Sequence, residues 1–418
     1  MIFFTMAEHL FRRDYMELLQ DKILEEALAL KDEMIKNRRH LHEHPELGMD
    51  LKQTQAYVAE RLKEMGYADV KRVGQAGLTV TVGQGTGKTI LLRADMDALP
   101  ILEDNELPYK SKIDGRMHAC GHDMHTTMLL AAAKILKKYE QEIPGVVKLM
   151  FQPGEETMEG AKDMVAAGIL ENPRPDAGVM IHVMPGMPFD PGALTVTGAG
   201  PSMASVDWFK ITVIGTGGHG SMPYLAVDPI VPMTAIHSGL SAIQSRELPP
   251  NAVVAVTVGE ISGGVTSNVI PGEMVMGGTI RTYDEKHRQF IKERMTEIVT
   301  HIAKAFRCEG TVEFPAGAPF FESSKELSEH IQKVLPAYVG ADKALPVFDS
   351  DVPAMGSEDF AVISQEIPAC VMILAASDAR KGQTYGVHHP KLILDEDALP
   401  YGAAAYAGVA LSWLAANQ

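Results

Sequence analysis

The amino-acid sequence predicts an α/β protein whose mainly parallel sheet is interrupted by a smaller inserted domain. Apolar strands alternate with helical segments in the first half of the chain and again from Phe320 onward, which is the pattern of a parallel sheet. Between these stretches the predicted elements follow the order β-α-β-β-α-β, the ferredoxin-like unit. We therefore predict a main domain formed by residues 1–198 and 316–418 and an inserted domain of residues 199–315.

Composition limits the partners that the protein can have. A chain of 418 residues with 46% hydrophobic and 22% charged residues is an ordinary globular protein of two or three domains. A formal net charge of -16 argues against nucleic acid and anionic membranes as partners, because both would be repelled. We expect a small molecule as the partner.

The start of the chain and the cysteines favour a cytoplasmic protein. No basic residue precedes the short apolar patch at the start, and charges from Glu8 onward interrupt it, so neither a signal peptide nor a membrane span is predicted. The cysteines are odd in number and widely spaced, which is not a disulfide framework. They are Cys120, Cys308 and Cys370.

The first predicted helix runs from Tyr15 to Arg39, where apolar residues recur on one face among charges. The segment from His40 to Glu46 then ends it. Its three histidines suggest a metal site, but the following proline favours an extended His44 and breaks the helical spacing between His40 and His44. We predict a structural role for these histidines.

A glycine-rich segment from Gly83 to Thr89 joins two predicted strands. It does not have the spacing of a phosphate-binding loop, because Val82 stands where a glycine is required, and a hairpin turn is the prediction. The second strand closes with Asp95 and Asp97 on alternate positions, which place both on one side. Either carboxylate could orient a histidine that binds a metal.

The segment from Met117 to His125 concentrates potential metal ligands. Thiolate, imidazole and carboxylate groups are the ligands that borderline-soft divalent metals prefer. Apolar residues follow from Met128, so this segment lies where a loop enters a buried helix. The potential ligands in it are His118, Cys120, His122, Asp123 and His125.

Further candidates follow apolar runs elsewhere in the chain. Glu155 and Glu156 follow a predicted strand that ends at Phe151, and His182 follows a second one. His388 lies in a late loop. Because ligands gather at the carboxyl ends of the strands in open α/β sheets, we expect these segments to meet the cysteine segment there.

Taken together, the motifs resemble the M20 metallopeptidase superfamily, and within it the amidohydrolase branch that includes hippurate hydrolases and N-acyl-amino-acid amidohydrolases. The resemblance extends from Arg38 to the C-terminal helix. One departure is Gly154, where alanine is commoner, and we expect it to loosen the turn without removing a ligand. The motifs are RADMDALP, HACGHDMH, FQPGEE, GTGGHGSMP, SNVIPGE, GTIRTYD and GSEDF.

The resemblance implies a zinc-aminopeptidase-like catalytic domain with an inserted lid and dimerisation domain, and hence a homodimer or an oligomer built from dimers. It also implies two divalent metal ions per subunit, either zinc, manganese, nickel or cobalt. Cys120 stands where the peptidase branches have a bridging aspartate. The implied ligands are Cys120, His122, Glu156, His182 and His388.

The implied reaction is hydrolysis of the amide bond of N-acyl-L-amino acids by a metal-activated water, with Glu155 as the general base. His219 would stabilise the oxyanion, either within its own chain or across a dimer. Asn268 and Arg281 would hold the carboxylate of the substrate, because an arginine fork matches a carboxylate. Asp97 would support the metal site from outside the ligand shell.

Other interpretations stay open. The same fold could cleave dipeptides or act as a carboxypeptidase, or it could bind acyl amino acids without catalysis. Asp123 and His125 could cap the start of a helix or support the metal site, and capping is favoured. For Glu358 the two roles are equally favoured. The remaining helical histidines and the other two cysteines are expected to be packing residues.

Overall fold

The computed structural model describes residues 22–348 and 355–418. The amino-terminal patch and the predicted helix start at Tyr15 lie outside the described residues. The second described helix continues to Glu43, four residues beyond the predicted end at Arg39, so that His40 and His42 are helical. The helices are α1 (22–29), α2 (Lys31–Glu43), α3 (Lys52–Glu64), α4 (His122–Lys138), α5 (Gly160–Ala166), α6 (Ile230–Ala242), α7 (Glu285–Ala305), α8 (Lys325–Val339), α9 (Ala361–Ser364) and α10 (Leu399–Ala416).

The strands alternate with these helices along the chain, as the apolar pattern predicts. They are β1 (Lys71–Val73), β2 (Gly77–Gly83), β3 (Thr89–Asp95), β4 (Val146–Gln152), β5 (Ala177–Met184), β6 (Leu194–Val196), β7 (Gly200–Met203), β8 (Ser205–Ile214), β9 (Gly218–His219), β10 (Val254–Ser262), β11 (Val269–Ile270), β12 (Glu273–Thr282), β13 (Glu309–Glu313), β14 (Gly317–Ala318), β15 (Phe321–Ser323) and β16 (Ala369–Ala375).

The chain forms two compact units. The first contains the described residues up to Gly200, then residues 322–348 and Val362–Gln418, and the second contains Pro201–Phe321 with residues 355–361. The second unit extends past the predicted end at residue 315, because β14 pairs with β8 and so belongs to the same sheet.

The sheet of the first unit has the strand order β1-β2-β4-β3-β5-β16-β15. The five strands from β4 to β15 are parallel, whereas β1 and β2 pair antiparallel at one edge and β6 pairs antiparallel with β16. Every residue of β3, β4 and β16 is buried, as expected for parallel strands covered on both faces. The mainly parallel sheet that the sequence predicts is confirmed.

The predicted hairpin between β2 and β3 is wrong. Gly83 at the end of β2 and Thr89 at the start of β3 both pair with Val146, so β4 lies between the two strands. The glycine-rich connection therefore passes over the end of β4. Gly83 adopts a φ of 119°, and a Cβ there would meet the Gly145 carbonyl oxygen at 2.2 Å, which explains the glycine.

The apolar helices α4 and α10 pack against each other and against β3. Almost all of their residues are buried, which anchors the start of α4 beside the carboxyl ends of the strands. Within the described residues, no helix combines the length and the apolar character that crossing a bilayer requires.

The second unit has the predicted ferredoxin-like topology. Its strands are antiparallel in the order β13-β8-β12-β10, and α6 and α7 pack together against this sheet. The alternating burial along β8 agrees with a sheet that has one face on a core. A separate two-stranded ribbon, formed by β9 and β11, follows β8 and precedes β12 in the chain.

Candidate active site

The start of α4 holds the first two predicted ligands, Cys120 and His122. Gly121 caps this helix in the left-handed region at a φ of 89°, and a Cβ there would meet the Val183 side chain at 2.4 Å. Nδ1 of His122 donates to the backbone carbonyl of Asp97 at 2.8 Å, because a carbonyl can only accept. In the neutral ring the lone pair is therefore on the other nitrogen, Nε2.

The adjacent carboxylates follow β4 and are positioned by Asp97. The Asp97 carboxylate accepts the backbone N–H groups of Glu155 at 3.0 Å and of Glu156 at 3.1 Å. Asp97 is fully buried and thus supports both the glutamate turn and, through its carbonyl, His122. The expected role of Asp97 as a supporting residue stays a prediction, and these contacts are the ones that it would use.

The turn before these glutamates explains the departure at Gly154. This residue has a φ of 61°, a conformation that alanine adopts only with strain. A Cβ there would also meet Sδ of Met49 at 2.3 Å. In this chain, glycine is the residue that fits the turn, and the methionine occupies the space beside it.

His182 and His388 complete the predicted ligand set. His182 lies near the end of β5, where its Nδ1 donates to the Val183 carbonyl at 2.7 Å and its Nε2 lies 3.5 Å from Sγ of Cys120. His388 is half-exposed and is held by its backbone N–H, which donates to the Ala119 carbonyl at 2.7 Å. Its Nε2 lies 3.4 Å from Oε1 of Glu156.

The predicted metal ligands and the predicted base form three overlapping groups. In each group the potential ligand atoms lie within 4.8 Å of one another. Cys120 belongs to two of the groups and Glu156 to two. The groups are Cys120, His122 and His182; Cys120, Glu156 and His388; and His122, Glu155 and Glu156.

The donor set fits divalent metals. Nε2 of His122 is buried and has no hydrogen-bond partner among the described residues, although such atoms normally have one. Sulfur, imidazole nitrogen and carboxylate oxygen together suit zinc and its neighbours in the first transition series. A fourth group of Asp95, His122 and His125 is also close enough to bind a metal, but both ring nitrogens of His125 are already in hydrogen bonds, one with Asp95 and one with the Val183 N–H.

The anionic side chains around the predicted ligands stabilise positive charge, as the pKa values of two histidines show. Burial alone would lower the pKa of His122, but Asp95 and Asp97 raise it well above its ordinary value. Hydrogen bonds to Cys120 and Glu156 raise the pKa of His388 to about 10. Protons on these histidines are thus stabilised by the same anionic groups that would stabilise a metal cation.

Two other groups have pKa values governed mainly by burial. Burial lowers the pKa of His182 to about 3, so that its imidazole is neutral near pH 7. Burial and Glu156 raise the pKa of the Cys120 thiol. Thiolate formation at Cys120 therefore requires a compensating cation, which a bound metal supplies.

A buried ion-pair cluster lies behind the start of α4. Asp123 accepts hydrogen bonds from Arg38 at 2.7 Å and from His42 at 2.8 Å, and Nε2 of His42 lies 3.2 Å from Glu103. The sequence favoured a capping role for Asp123, but no side chain caps the start of α4, and Asp123 contacts Arg38 and His42 instead. The spacing of α2 could have indicated His42, since it lies four residues after Arg38 on one helix face.

His40 near the end of α2 and His44 just after it have local contacts. His40 stacks on Tyr57 with ring centroids 4.0 Å apart, and Nδ1 of His44 donates to the His40 carbonyl. Neither residue belongs to a potential metal-binding group among the described residues. Glu358, for which two roles were open, accepts the backbone N–H of Phe360 at 3.0 Å, a local turn contact.

The second unit carries the other three predicted residues. His219 and Asn268 are neighbours in the β9–β11 ribbon, where the Gly220 N–H donates to the Asn268 carbonyl at 2.8 Å. Nδ1 of His219 accepts from both the N–H and the hydroxyl of Ser221. The proton is therefore on Nε2, which makes that nitrogen a donor.

Arg281 lies at the other end of the second unit's sheet. It lies eight positions after Glu273, the residue of β12 next to the ribbon, and at roughly 3.4 Å per position this spans about 27 Å. Asn268 and Arg281 of one chain are therefore not brought together. Arg281 donates to the Ser357 hydroxyl at 2.6 Å, a partner within the GSEDF motif that the sequence did not indicate.

Comparison with known proteins assigns the family. Residues 91–412 match the sequence profile of peptidase family M20/M25/M40. The chain is 37% identical to IAA-amino acid hydrolase ILR1-like 2 of Arabidopsis thaliana, over 95% of this chain and 89% of that protein. It is 35% identical to hippurate hydrolase of Campylobacter jejuni, over 94% and 99% of the two chains. It is also 35% identical to thermostable carboxypeptidase 1 of Saccharolobus solfataricus, over 94% and 99%.

A solved structure agrees with these matches. The YXEP protein of Bacillus subtilis, a dinuclear metal binding peptidase from the M20 family, is 32% identical, with a TM-score of 0.74 over 92% of this chain and 98% of that one. The fold and family that the motifs indicate are thereby confirmed. The chain belongs to peptidase family M20/M25/M40 and is a metal-dependent amidohydrolase.

Proposed function

We propose that the protein hydrolyses the amide bond of N-acyl-L-amino acids and releases a carboxylic acid and a free amino acid. The observation that carries this proposal is the pair of three-ligand groups that share Cys120, one with His122 and His182 and the other with Glu156 and His388. Two such groups that share one side chain could hold two neighbouring metal ions. We therefore assign these five side chains as the ligands of two divalent metals.

When bound, the two metals would lower the pKa of a water molecule and polarise the amide carbonyl. Glu155 would accept a proton from the attacking water as the C–O bond forms to the carbonyl carbon, which leaves the negative charge on the carbonyl oxygen. It would then give that proton to the amide nitrogen as the carbonyl re-forms and the C–N bond breaks. Its position supports this role, because Oε2 of Glu155 lies 3.9 Å from Nε2 of His122. The turn that carries it is held by the buried Asp97.

We assign the oxyanion contact to Nε2–H of His219, which the Ser221 contacts leave as a donor. Arg281 and Asn268 are assigned to the substrate carboxylate, as the family resemblance implies. Arg281 lies at the end of β12 that is remote from the ribbon beside which Asn268 lies, which argues against one carboxylate being held by both residues of the same chain. The proposal therefore includes a dimer in which His219 and Asn268 serve the site of the other chain.

An activity assay identifies the preferred acyl group and the metal. Purified protein is reconstituted in turn with zinc, manganese, nickel and cobalt, and is tested on hippurate, acetyl-amino acids, indoleacetyl-amino acids and dipeptides. Release of the free amino acid from acyl conjugates, lost when the substrate carboxylate is converted to an amide, is the expected result.

The alternative is cleavage of dipeptides or of peptide carboxyl termini, which the relative named as a carboxypeptidase supports. Faster turnover of dipeptides than of every acyl conjugate would establish it. If the metal-loaded protein bound acyl amino acids without hydrolysing them, it would be a noncatalytic binding protein. The three unpaired cysteines support a cytoplasmic location.

A further inference from the structure

Two side chains replace missing sheet hydrogen bonds where β3 and β5 separate. The pairing of these strands ends at Met180, and beyond it the backbone N–H groups of β5 that face this side need other acceptors. The Ile181 N–H donates to the Tyr406 hydroxyl at 2.8 Å. The Val183 N–H donates to Nε2 of His125 at 2.9 Å.

The contacts of His125 define its protonation. A backbone N–H can only donate, so Nε2 of His125 accepts and the ring proton is on Nδ1. Nδ1 donates to Oδ1 of Asp95 at 2.7 Å. Asp95 in turn accepts from Arg93 at 2.7 Å, and all three side chains are completely buried. His125 is thus a neutral imidazole held in one tautomer.

The same stretch of backbone orients His182. Val183, whose N–H is held by His125, accepts the proton of His182 Nδ1 on its own carbonyl oxygen at 2.7 Å. This contact leaves the lone pair of His182 on Nε2, 3.5 Å from Sγ of Cys120. The edge-to-face packing of the His125 and His182 rings, with centroids 4.9 Å apart, adds a direct constraint.

We propose that His125 is a positioning residue of the metal centre, which acts through the Val183 backbone to hold Nε2 of His182 toward Cys120. His125 cannot be a ligand itself, because Asp95 and Val183 occupy both of its ring nitrogens. Residues that orient a histidine ligand change metal affinity roughly 10 to 100-fold when they are replaced. This inference rests on the proposed role of His182 as a ligand.

Two amide variants separate the two contacts of His125. Glutamine places its amide near the position of Nε2 and can still accept from the Val183 N–H, whereas asparagine reaches only to the position of Nδ1 and the Asp95 contact. Zinc affinity is measured by competition with a chromogenic chelator, and the geometry is followed by the absorption spectrum of the cobalt-loaded protein. We expect His125→Asn to lose roughly 10 to 100-fold in affinity and His125→Gln to lose much less.

Two further variants control the comparison. His330→Asn removes a hydrogen bond to Ser412 in the same unit and should leave zinc affinity unchanged. His182→Asn tests the ligand role itself. Full affinity in His182→Asn would overturn the ligand assignment. Loss in His182→Asn together with equal affinities for His125→Asn and His125→Gln would overturn the positioning role alone.

A measurement on the unmutated protein covers the case in which His125→Asn does not fold. Long-range ¹H–¹⁵N correlation spectra of the histidine rings distinguish the two neutral tautomers, and the His125→Gln spectrum identifies the His125 signals. A neutral ring with its proton on Nδ1 is expected. A proton on Nε2, or a charged ring near pH 7, would contradict the Val183 contact and the proposal with it.

Discussion

Sγ of Cys120 lies 3.5 Å from Nε2 of His182, although 62 positions separate the two residues in the chain. The contact joins the loop before α4 to the end of β5. Both atoms are the ligand atoms that these side chains offer to a metal, and Nδ1 of His182 is already used by the Val183 carbonyl. The local geometry therefore supports a metal site in which the Cys120 thiolate and the His182 imidazole bind the same ion.

Replacing Cys120 by serine should weaken metal binding by at least about 10-fold, because a hydroxyl is a much poorer ligand than a thiolate for these metals. Metal content after dialysis against a chelator measures the loss. Cys308→Ser, the same chemical change at a cysteine of the second unit, is the matched control and should keep its metal. Full occupancy in Cys120→Ser would make Cys120 a structural residue.

Glu155→Gln should retain both metals and lose about 10² to 10⁴-fold in turnover, because the amide keeps the shape of the side chain and cannot accept the proton. The adjacent Glu156→Gln variant is the control, since it should lose metal as well as activity. Metal analysis and turnover are measured on the same preparations. Activity of Glu155→Gln within a few-fold of the parent would show that another group is the base.

His219→Ala should keep its metal content and lose about 10² to 10³-fold in turnover, which is the usual contribution of an oxyanion donor. If the histidine serves the other chain of a dimer, mixing His219→Ala with Glu155→Gln subunits should restore activity. One hybrid site then has both an intact base and an intact donor. Mixed dimers, verified by two different affinity tags, that recover no activity would show action within one chain.

A second mixture controls for nonspecific recovery. Asn268 lies beside His219 at the β9–β11 ribbon. Asn268→Ala and His219→Ala therefore each remove one side chain from the same ribbon. A mixture of these two variants should recover no activity, because each site of the mixed dimer lacks one of the two residues. Recovery in this mixture would mean that the two residues serve different sites.

Lys148 should make stability depend on pH in the alkaline range. Its ammonium group donates to the carbonyls of Glu171 and Pro173, and burial lowers its pKa from 10.5 to about 8. Between these two values the unfolded chain binds more protons than the folded one, so the free energy of unfolding should rise with pH. Below about pH 8 both states are protonated and the contribution is constant.

The comparison for this prediction is Lys148→Met, which keeps the length of the buried side chain and removes its charge. Urea unfolding of both proteins is followed from pH 7 to pH 10. The free energy of unfolding of the parent should rise relative to that of the variant as the pH passes through 8. A constant difference over the whole range would mean that the pKa of Lys148 is not lowered in the folded protein.

The sequence by itself was enough for the fold class and for the set of candidate ligands. The order β-α-β-β-α-β between Val206 and Phe314 is a local pattern of apolar periodicity, and the second unit has that topology. The ligand motifs are short, and each of them directly follows or precedes an apolar element. Such signals lie within a few residues of one another and are readable without a structure.

Only the tertiary structure decided which strands are neighbours and which side chains meet. The glycine-rich segment after Val82 has the composition of a hairpin, but β4 lies between β2 and β3, because strand order depends on pairing with a distant segment: Gly83 pairs with Val146, 63 positions later. The contact between His125 and Val183 and the separation of Arg281 from Asn268 have the same origin. Each depends on where distant segments pack, and the free energy of that packing is not encoded in any single stretch of the chain.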